Sequence, residues 1–393
     1  MRGDVCAWGL TICAVVPFIP GVEVPVEDGA DHLGNLAISA ARVGYPLLLK
    51  ASAGGGGKGM RAVSEPKSLR SEYEAAAREA SAAFGDGTVY VERLLRNAKH
   101  VEIQVLCDSH GKAVHLNERD CSLQRRYQKV IEEAPSPAVS GSKREEMGQA
   151  AVTGAMSVGY VGAGTVEFLL ASNGDFYFLE MNTRLQVEHP VTEMTTGVDL
   201  VQKQFEVAAG LGIGFEQHEV SQNGHSIEAR IYAEDPRSGF LPSTGKLSMW
   251  RQPSGPGIRV DSGVREGDEV TIDFELLRAK VLVHAPNRGA AIRRMDAALS
   301  EFVALGVTTN IEFLRNALNH ASFRDGSIDT DFLDNSDPRE LDGEEYDEGT
   351  LVAIAAAAQR LGLGSARNDS GEAVDEHTGH QGDPFRTLRR TFP

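Results

Sequence analysis

Residues 164–190 read GTVEFLLASNGDFYFLEMNTRLQVEHP, and no other stretch constrains the fold as tightly. Two apolar runs, Val166–Leu170 and Phe176–Met181, flank Asn173-Gly174, a dipeptide that tolerates the positive φ of a tight hairpin turn. The pattern predicts a β-hairpin, and a two-residue loop at Asn173-Gly174 sets Glu167 directly across from Glu180. Facing carboxylates in one cross-strand pair, with Cβ atoms roughly 5 Å apart, repel and destabilise a sheet. A hard divalent cation between them removes that penalty, and carboxylate oxygens are what Mg²⁺ takes beside phosphate oxygens. The pair is read as a metal site.

Strand parity extends it. Glu180, Asn182, Arg184, Gln186 and Glu188 share one face for as long as the chain stays extended, and Met181, Thr183, Leu185 and Val187 take the other. Alternating polarity usually marks the solvated face of an antiparallel sheet. Two opposed carboxylates, an amide and a guanidinium in strict alternation favour a built site instead.

At 393 residues the chain can bury a large core in two or three domains. A net charge of −17 argues against nonspecific binding to nucleic acid or anionic membrane. Cys6, Cys13, Cys107 and Cys121 form no C-x-x-C pair, which fits reduced thiols in the cytoplasm. The apolar stretch Val5–Ile19 is too short and too interrupted for a membrane span, and makes a poor signal peptide.

Along the chain, helical spacing predicts a helix over His32–Val43, and PLLLKA (Pro46–Ala51) reads as a strand. The glycine loop Ser52–Gly59 leads into a strand at Met60–Val63, a helix over Ser68–Phe84 and a strand at Thr88–Arg93. From His100 long antiparallel strands are expected, then helices over Lys143–Val158 and Gly197–Gly210. Strands follow at His225–Ala233, Lys246–Trp250, within Arg259–Val270 and at Leu276–His284. An amphipathic helix is expected over Arg288–Leu305 and an alanine-rich one over Asp347–Gly362, with 364–384 polar and disordered.

The glycine loop Lys50-Ala-Ser-Ala-Gly-Gly-Gly-Gly-Lys-Gly is neither a Walker A loop, which needs Ser or Thr after its lysine, nor a Rossmann fingerprint, which opens a helix. Between two strands it reads as a hairpin flap whose N–H groups can close on phosphate oxygens. A flexible linker is the alternative, disfavoured by strands on both sides.

Together, the flap, HVEIQVLCD, ERDCSLQRRYQKVIEEAPSP and FLEMNTRLQVEHPVTEMTTGVDLV resemble the biotin carboxylase family, a branch of the ATP-grasp enzymes. IEARIYAEDP, FLPSTGKL, GIRVDSG and GVTTNIEFL are most similar to the α chains of acyl-CoA carboxylases. The resemblance implies an α+β fold with an ATP-grasp lid over 21–94, a catalytic subdomain over 95–220 and an antiparallel biotin carboxylase C-terminal subdomain over 221–333. Residues 1–20 would be the remnant of a linker before the lid, and 334–393 an acidic linker, helix and tail. A Rossmann-like N-terminal subdomain is expected to be missing, because too few residues precede Pro17 to form it.

The reaction implied is ATP-dependent carboxylation of biotin by bicarbonate, with Mg²⁺ or Mn²⁺ and with biotin carried on a separate protein, as a cytoplasmic ligase. Lys50 and the loop positions Gly54, Gly55, Gly56, Gly57 and Gly59 would hold the ATP phosphates. Glu92 and Leu94 would meet the adenine, and His100 and Gln124 would lie along the nucleotide. Glu167 and Glu180 would bind metal, with Asn182 a further ligand. Lys129, Arg184, Gln186 and Val187 would surround bicarbonate, Glu188 would be the general base, and Arg259 would stabilise the biotin enolate. A biotin carboxyl carrier domain and a carboxyltransferase subunit are the implied partners, with a homodimer through the carboxylase region, and neither nucleic acid nor membrane. His100, Gln124 and Arg259 also have plain structural readings, and Glu188 could cap the helix that follows it.

Two local features depart from the family pattern. Glu275-Leu276 and Arg278 replace an Asp-Pro pair and an apolar position, and a buried Arg278 is costly unless paired. Tyr127 stands where His or Asn is commoner. No Ala-Met-Lys-Met biotin attachment hairpin occurs. A carbamoyl-phosphate-type ATP-grasp ligase and a catalytically silent assembly module are the competing readings.

Overall fold

The computed structural model describes residues 16–23, 32–53, 60–273, 276–341 and 356. The glycine loop 54–59, the helix expected over 347–362 apart from residue 356, the polar tail, and Phe274 and Glu275 lie outside the described residues. The chain divides into units 1–343 and 344–393, and every described residue except 356 belongs to the first.

A small antiparallel sheet comprises β1 (Gly21–Glu23), β2 (Leu47–Ala51), β3 (Arg61–Val63) and β4 (Val89–Arg93), in the order β1-β4-β2-β3. Helices α1 (His32–Val43) and α2 (Leu69–Phe84) cover one face. Leu36 and Ala40 of α1 and Leu69, Tyr73 and Ala76 of α2 recur at helical spacing and pack on Leu47, Leu49 and Val91. Strand alternation therefore turns Leu48, Lys50 and Glu92 to the opposite face, towards a cleft.

The large sheet has eight strands, all antiparallel: β5 (Lys99–Cys107), β6 (Ala113–Arg125), β7 (Gln128–Ala134), β8 (Gly162–Leu170), β9 (Phe176–Asn182), β10 (His225–Tyr232), β11 (Ile258–Ser262) and β12 (Leu277–Ala285). Their order is β11-β12-β10-β7-β6-β5-β8-β9. The helices around it are α3 (Gly141–Ser157), α4 (His189–Thr196), α5 (Leu200–Ala208), α6 (Arg288–Glu301) and α7 (Ile311–Asn319). Met147 and Ala151 of α3 pack on Val101, Ile103, Val105 and Phe168. Met295 and Leu299 of α6 and Phe313 of α7 pack on Ile227, Ile231, Val281 and Val283. With one face so covered, the alternate residues of β5 and β8 (His100, Glu102, Gln104, Thr165, Glu167) are confined to the other. The last buried residue among those described is Leu341.

Glu167 does face Glu180, through two departures that cancel. The hairpin loop is three residues, 172–174: Ala171 N–H donates to the Asp175 carbonyl at 2.8 Å, and Gly174, at φ +88°, donates to the Ala171 carbonyl at 2.9 Å. That loop sets Leu170 against Phe176 and Phe168 against Phe178. Leu179 is then one residue too many in β9, a bulge that shifts the register so that Glu167 meets Glu180 and Thr165 meets Asn182.

Two helical expectations shorten. The helix expected over Arg288–Leu305 stops at Glu301, because Val303–Leu305 pairs as a strand with Met249–Arg251 and the Phe302 ring stacks edge-on against Trp250, centroids 4.9 Å apart. The one expected over Gly197–Gly210 begins at Leu200, where the Asp199 side chain accepts from Gln202 N–H at 2.7 Å.

Candidate active site

Lys50, Glu92, Leu94, His100, Gln124, Glu167 and Glu180 line one cleft of about 330 Å³. Lys50 is buried and its ammonium lies 2.6 Å from the Glu92 carboxylate. At the mouth, Arg126 and Tyr127 form the two-residue turn between β6 and β7 with φ of +48° and +65°. Left-handed backbone favours Asn over Tyr there, so the departure at Tyr127 carries local strain.

Deeper in, the sheet face is an ion network. Lys129 Nζ donates to Glu102 at 2.5 Å, to Glu188 at 2.6 Å and to Glu167 at 2.8 Å. Gln186 Nε2 and Asn182 Nδ2 also donate to that oxygen of Glu167, at 2.8 and 3.0 Å, and His100 Nε2 lies 3.2 Å from the other. Asn182 reaches Glu180 as well, at 3.4 Å, so one amide bridges the facing carboxylates. Two carboxylates opening on a cleft are the hard oxygen donors that Mg²⁺ or Mn²⁺ accepts.

The base candidate leaves the strand geometry. β9 ends at Asn182, so the shared face does not extend through Arg184 to Glu188 as an unbroken strand. Glu188 occupies the N-cap position of α4, but its side chain makes no cap bond. It turns instead to Lys129 and to Arg230, whose Nη2 donates to it at 3.1 Å. Burial would push the Glu188 carboxyl up; Lys129, Arg230 and Arg119 outweigh this and hold it well below the ordinary carboxylate range. Lys280 Nζ donates to the Val187 carbonyl at 2.5 Å and anchors the segment that carries Glu188.

Two arginines stand apart from this network. Arg184 is exposed and donates to the Leu185 carbonyl at 3.3 Å. Arg259, expected to stabilise the biotin enolate, is 41% exposed and engaged by Asp261 at 2.8 Å and Glu193 at 3.1 Å. The guanidinium on the base belongs to Arg230, because β10 neighbours β7 and lies inside the sheet, whereas Arg259 is on the edge strand β11. Sequence reasoning missed Arg230 and also Arg119, which is fully buried and donates to Glu102, Gln104, Thr165, Gln186 and Thr192 at 2.5–3.1 Å. Their signal was a charge inside an otherwise buried run, as in IEARIY. Arg278 is buried, its Nη2 donating to the Thr271 carbonyl at 3.2 Å.

The family model "Biotin carboxylase C-terminal domain" matches residues 228–335, and "Carbamoyl-phosphate synthase L chain, ATP binding domain" matches 12–214. Biotin carboxylase 2 of Bacillus subtilis is 46% identical over 320 residues, 81% of this chain and 71% of that protein. The chain belongs to the biotin carboxylase family. The mitochondrial methylcrotonoyl-CoA carboxylase subunit alpha of Dictyostelium discoideum is 50% identical over 326 residues, 82% of this chain and 46% of that one. The chain thus spans about half the length of the acyl-CoA carboxylase subunits it matches. Among solved structures, the biotin carboxylase domain of the Hydrogenobacter thermophilus 2-oxoglutarate carboxylase, in complex with MgADP, ADP and bicarbonate, superposes with a TM-score of 0.84. It is 43% identical, covering 88% of this chain and 75% of that chain. The ATP-grasp, antiparallel biotin carboxylase architecture expected from the motifs is the one found. Among the described residues no helix is long and apolar enough to cross a membrane.

Proposed function

We propose that this chain carboxylates biotin at the expense of ATP and bicarbonate through carboxyphosphate, the biotin being carried on a separate carrier protein. The observation that carries the reading is Glu188, a buried carboxylate held between Lys129 and Arg230 beside the Glu167/Glu180 pair. Bicarbonate must lose its proton as it attacks phosphorus, and a positioned carboxylate takes it. With Lys129 and Arg230 pressed on it, Glu188 is a weak base. A bicarbonate anion that shares those cations weakens their hold and raises its proton affinity when that is needed.

Lys50 neutralises phosphate charge from the cleft wall, and Lys129, bonded to Glu167 of the same cleft, adds to it. A divalent ion held by Glu167 and Glu180, with Asn182 beside them, would supply further charge neutralisation on the phosphates. Arg230, which reaches Glu188, is read here in preference to the exposed Arg259 as the group that stabilises the anion formed when biotin loses its N1 proton; its contact with the base supports the reading. The glycine loop 54–59 is assigned to the phosphates by its sequence. The partners that follow from this reading are a biotin carrier domain, a carboxyltransferase subunit and a second copy of the chain. The subdomain limits 21–94, 95–220 and 221–333 belong to the same reading, as does a cytoplasmic location, which the free, buried Cys107 and Cys121 support.

Glu188→Gln tests the reading in the full chain. Bicarbonate-dependent ATP cleavage should fall by roughly 10²-fold or more, the scale of a general base, while ATP affinity by calorimetry stays within about twofold. Equal loss of both would reassign Glu188 to a structural role.

A further inference from the structure

A second pair of facing carboxylates lies behind the base. Glu132 on β7 is the direct cross-strand partner of Glu228 on β10, and both are fully buried. Arg230 Nε donates to one oxygen of Glu132 at 2.5 Å. Among the described residues, the other oxygen of Glu132 and both oxygens of Glu228 accept no hydrogen bond.

The surrounding cations cannot neutralise two charges here. Lys129 is taken by Glu102, Glu167 and Glu188. Lys280, 3.9 Å from Glu228, is turned to the Val187 carbonyl and lies 3.4 Å from Asp261. Arg230 is already shared with Glu188. On the packed helix α4, Glu193 is turned to Arg259, and burial pushes His189 below its ordinary range as it bonds the Gln186 carbonyl. Burial pushes the Cys121 thiol of β6 well up, so it adds no charge. Two ionised carboxylates opposed in a dry sheet, with one guanidinium between them and a third, are unstable.

We propose that Glu132 and Glu228 hold one proton between them and act as a positioning pair: the proton resides on Glu228, and the single charge left on Glu132 fixes the Arg230 guanidinium against Glu188. The proton belongs on Glu228 because Glu132 alone has a donor. Burial, with Glu132 as the next contribution, pushes Glu228 well above the ordinary range. Burial also pushes Glu132 up, to about 7, with Arg230 pulling it back. Arg230 is then held on both sides only while Glu132 is ionised. The functional half of this inference rests on the carboxylation reading of Glu188 and Arg230; the proton count does not.

The proton count is measured by unfolding the full chain in denaturant across pH 5–7, with no substrate present. An unfolded glutamate has a pKa of about 4.3, so through this range the folded chain holds on Glu228 one proton that the unfolded chain lacks. The second proton, which Glu132 takes up as pH falls below 7, is shared by the Glu228→Gln variant and cancels in the comparison. Relative to Glu228→Gln, the unsubstituted chain's unfolding constant should rise about tenfold per pH unit. A ratio of the two constants that stays flat with pH overturns the proposal. If Glu228→Gln does not fold, the unsubstituted chain decides by its infrared spectrum. A carboxylic acid C=O band must be present at pH 7.5 and must survive Asp120→Asn and Glu234→Gln, which remove two other buried acids pushed upward; its absence overturns the proposal. The positioning role is read from turnover. The chain should lose bicarbonate-dependent ATP cleavage along an acid limb near pH 7, and Glu132→Gln should be slow with that limb gone. A merely structural role would slow the variant and leave the limb in place. Failure of the proton count leaves the Glu188→Gln result untouched, so the two readings fail separately.

Discussion

Lys129→Met is the sharpest perturbation of the site, because one ammonium serves three buried carboxylates at 2.5–2.8 Å. Methionine keeps much of the unbranched stem and removes the charge. Removing one partner of a buried ion pair costs about 3–5 kcal/mol, because the charges left behind are uncompensated. An unfolding entropy of about 2.1 cal/mol/K per residue gives roughly 1.2–1.4 °C per kcal/mol for a chain of this size, so that loss lowers Tm by about 4–7 °C. The pH dependence identifies the cause. In the unsubstituted chain Glu167 and Glu188 are held well below the ordinary range by Lys129, against burial. That contribution is complete above the unfolded pKa of about 4.3 and is lost only as pH falls through the lower folded values. In the variant both carboxyls move up, Glu167 the more because Arg230 and Arg119 still face Glu188, so its folded state takes up protons as pH falls from neutrality and recovers stability. Denaturant unfolding with EDTA present should give the full gap at pH 7.5 and a gap smaller by at least half near pH 5. A gap under 1 kcal/mol at pH 7.5, or one constant between the two pH values, would refute the reasoning.

Glu180→Gln removes one charge of the facing pair, so calorimetric affinity for ADP should no longer depend on Mg²⁺ or Mn²⁺. Arg230 spans Glu132 and Glu188 with two nitrogens, at 2.5 and 3.1 Å, which a lysine cannot do. Arg230→Lys should therefore cost bicarbonate-dependent turnover roughly 10²-fold, on the scale of lost electrostatic stabilisation. Arg259→Ala, which touches Asp261 and Glu193, should cost less than about tenfold on the same scale. Asn287 caps α6 by accepting from Ala290 N–H at 3.0 Å; Asn287→Ala should lower stability by about 1 kcal/mol in denaturant, with turnover unchanged.

What the sequence yields here depends on how far apart two partners are in the chain. Glu167 and Glu180 belong to one hairpin, so alternation and a turn signal suffice to oppose them, although a three-residue loop and the bulge at Leu179 had to offset each other. Without the bulge, Glu167 would have met Leu179 and the pair would not exist, since a one-residue slip exchanges the faces of a strand. The bulge is therefore part of the site. Arg230 and Glu188 need more: the order β10-β7-β6-β5 must be known before a guanidinium on one strand can be set on a carboxylate beyond another. No local pattern carries that order, and the motif around Arg259 offered an equally plausible arginine on an edge strand. The overrun of the helix past Glu301 has the same origin. Phe302 and Leu305 keep helical spacing, but Trp250 and the strand Met249–Arg251 supply partners that spacing cannot reveal. Glu132 and Glu228 are the extreme case, each an unremarkable glutamate in its own strand. Only their register as direct neighbours, with one arginine between them and Glu188, turns two residues into a charge that must be halved.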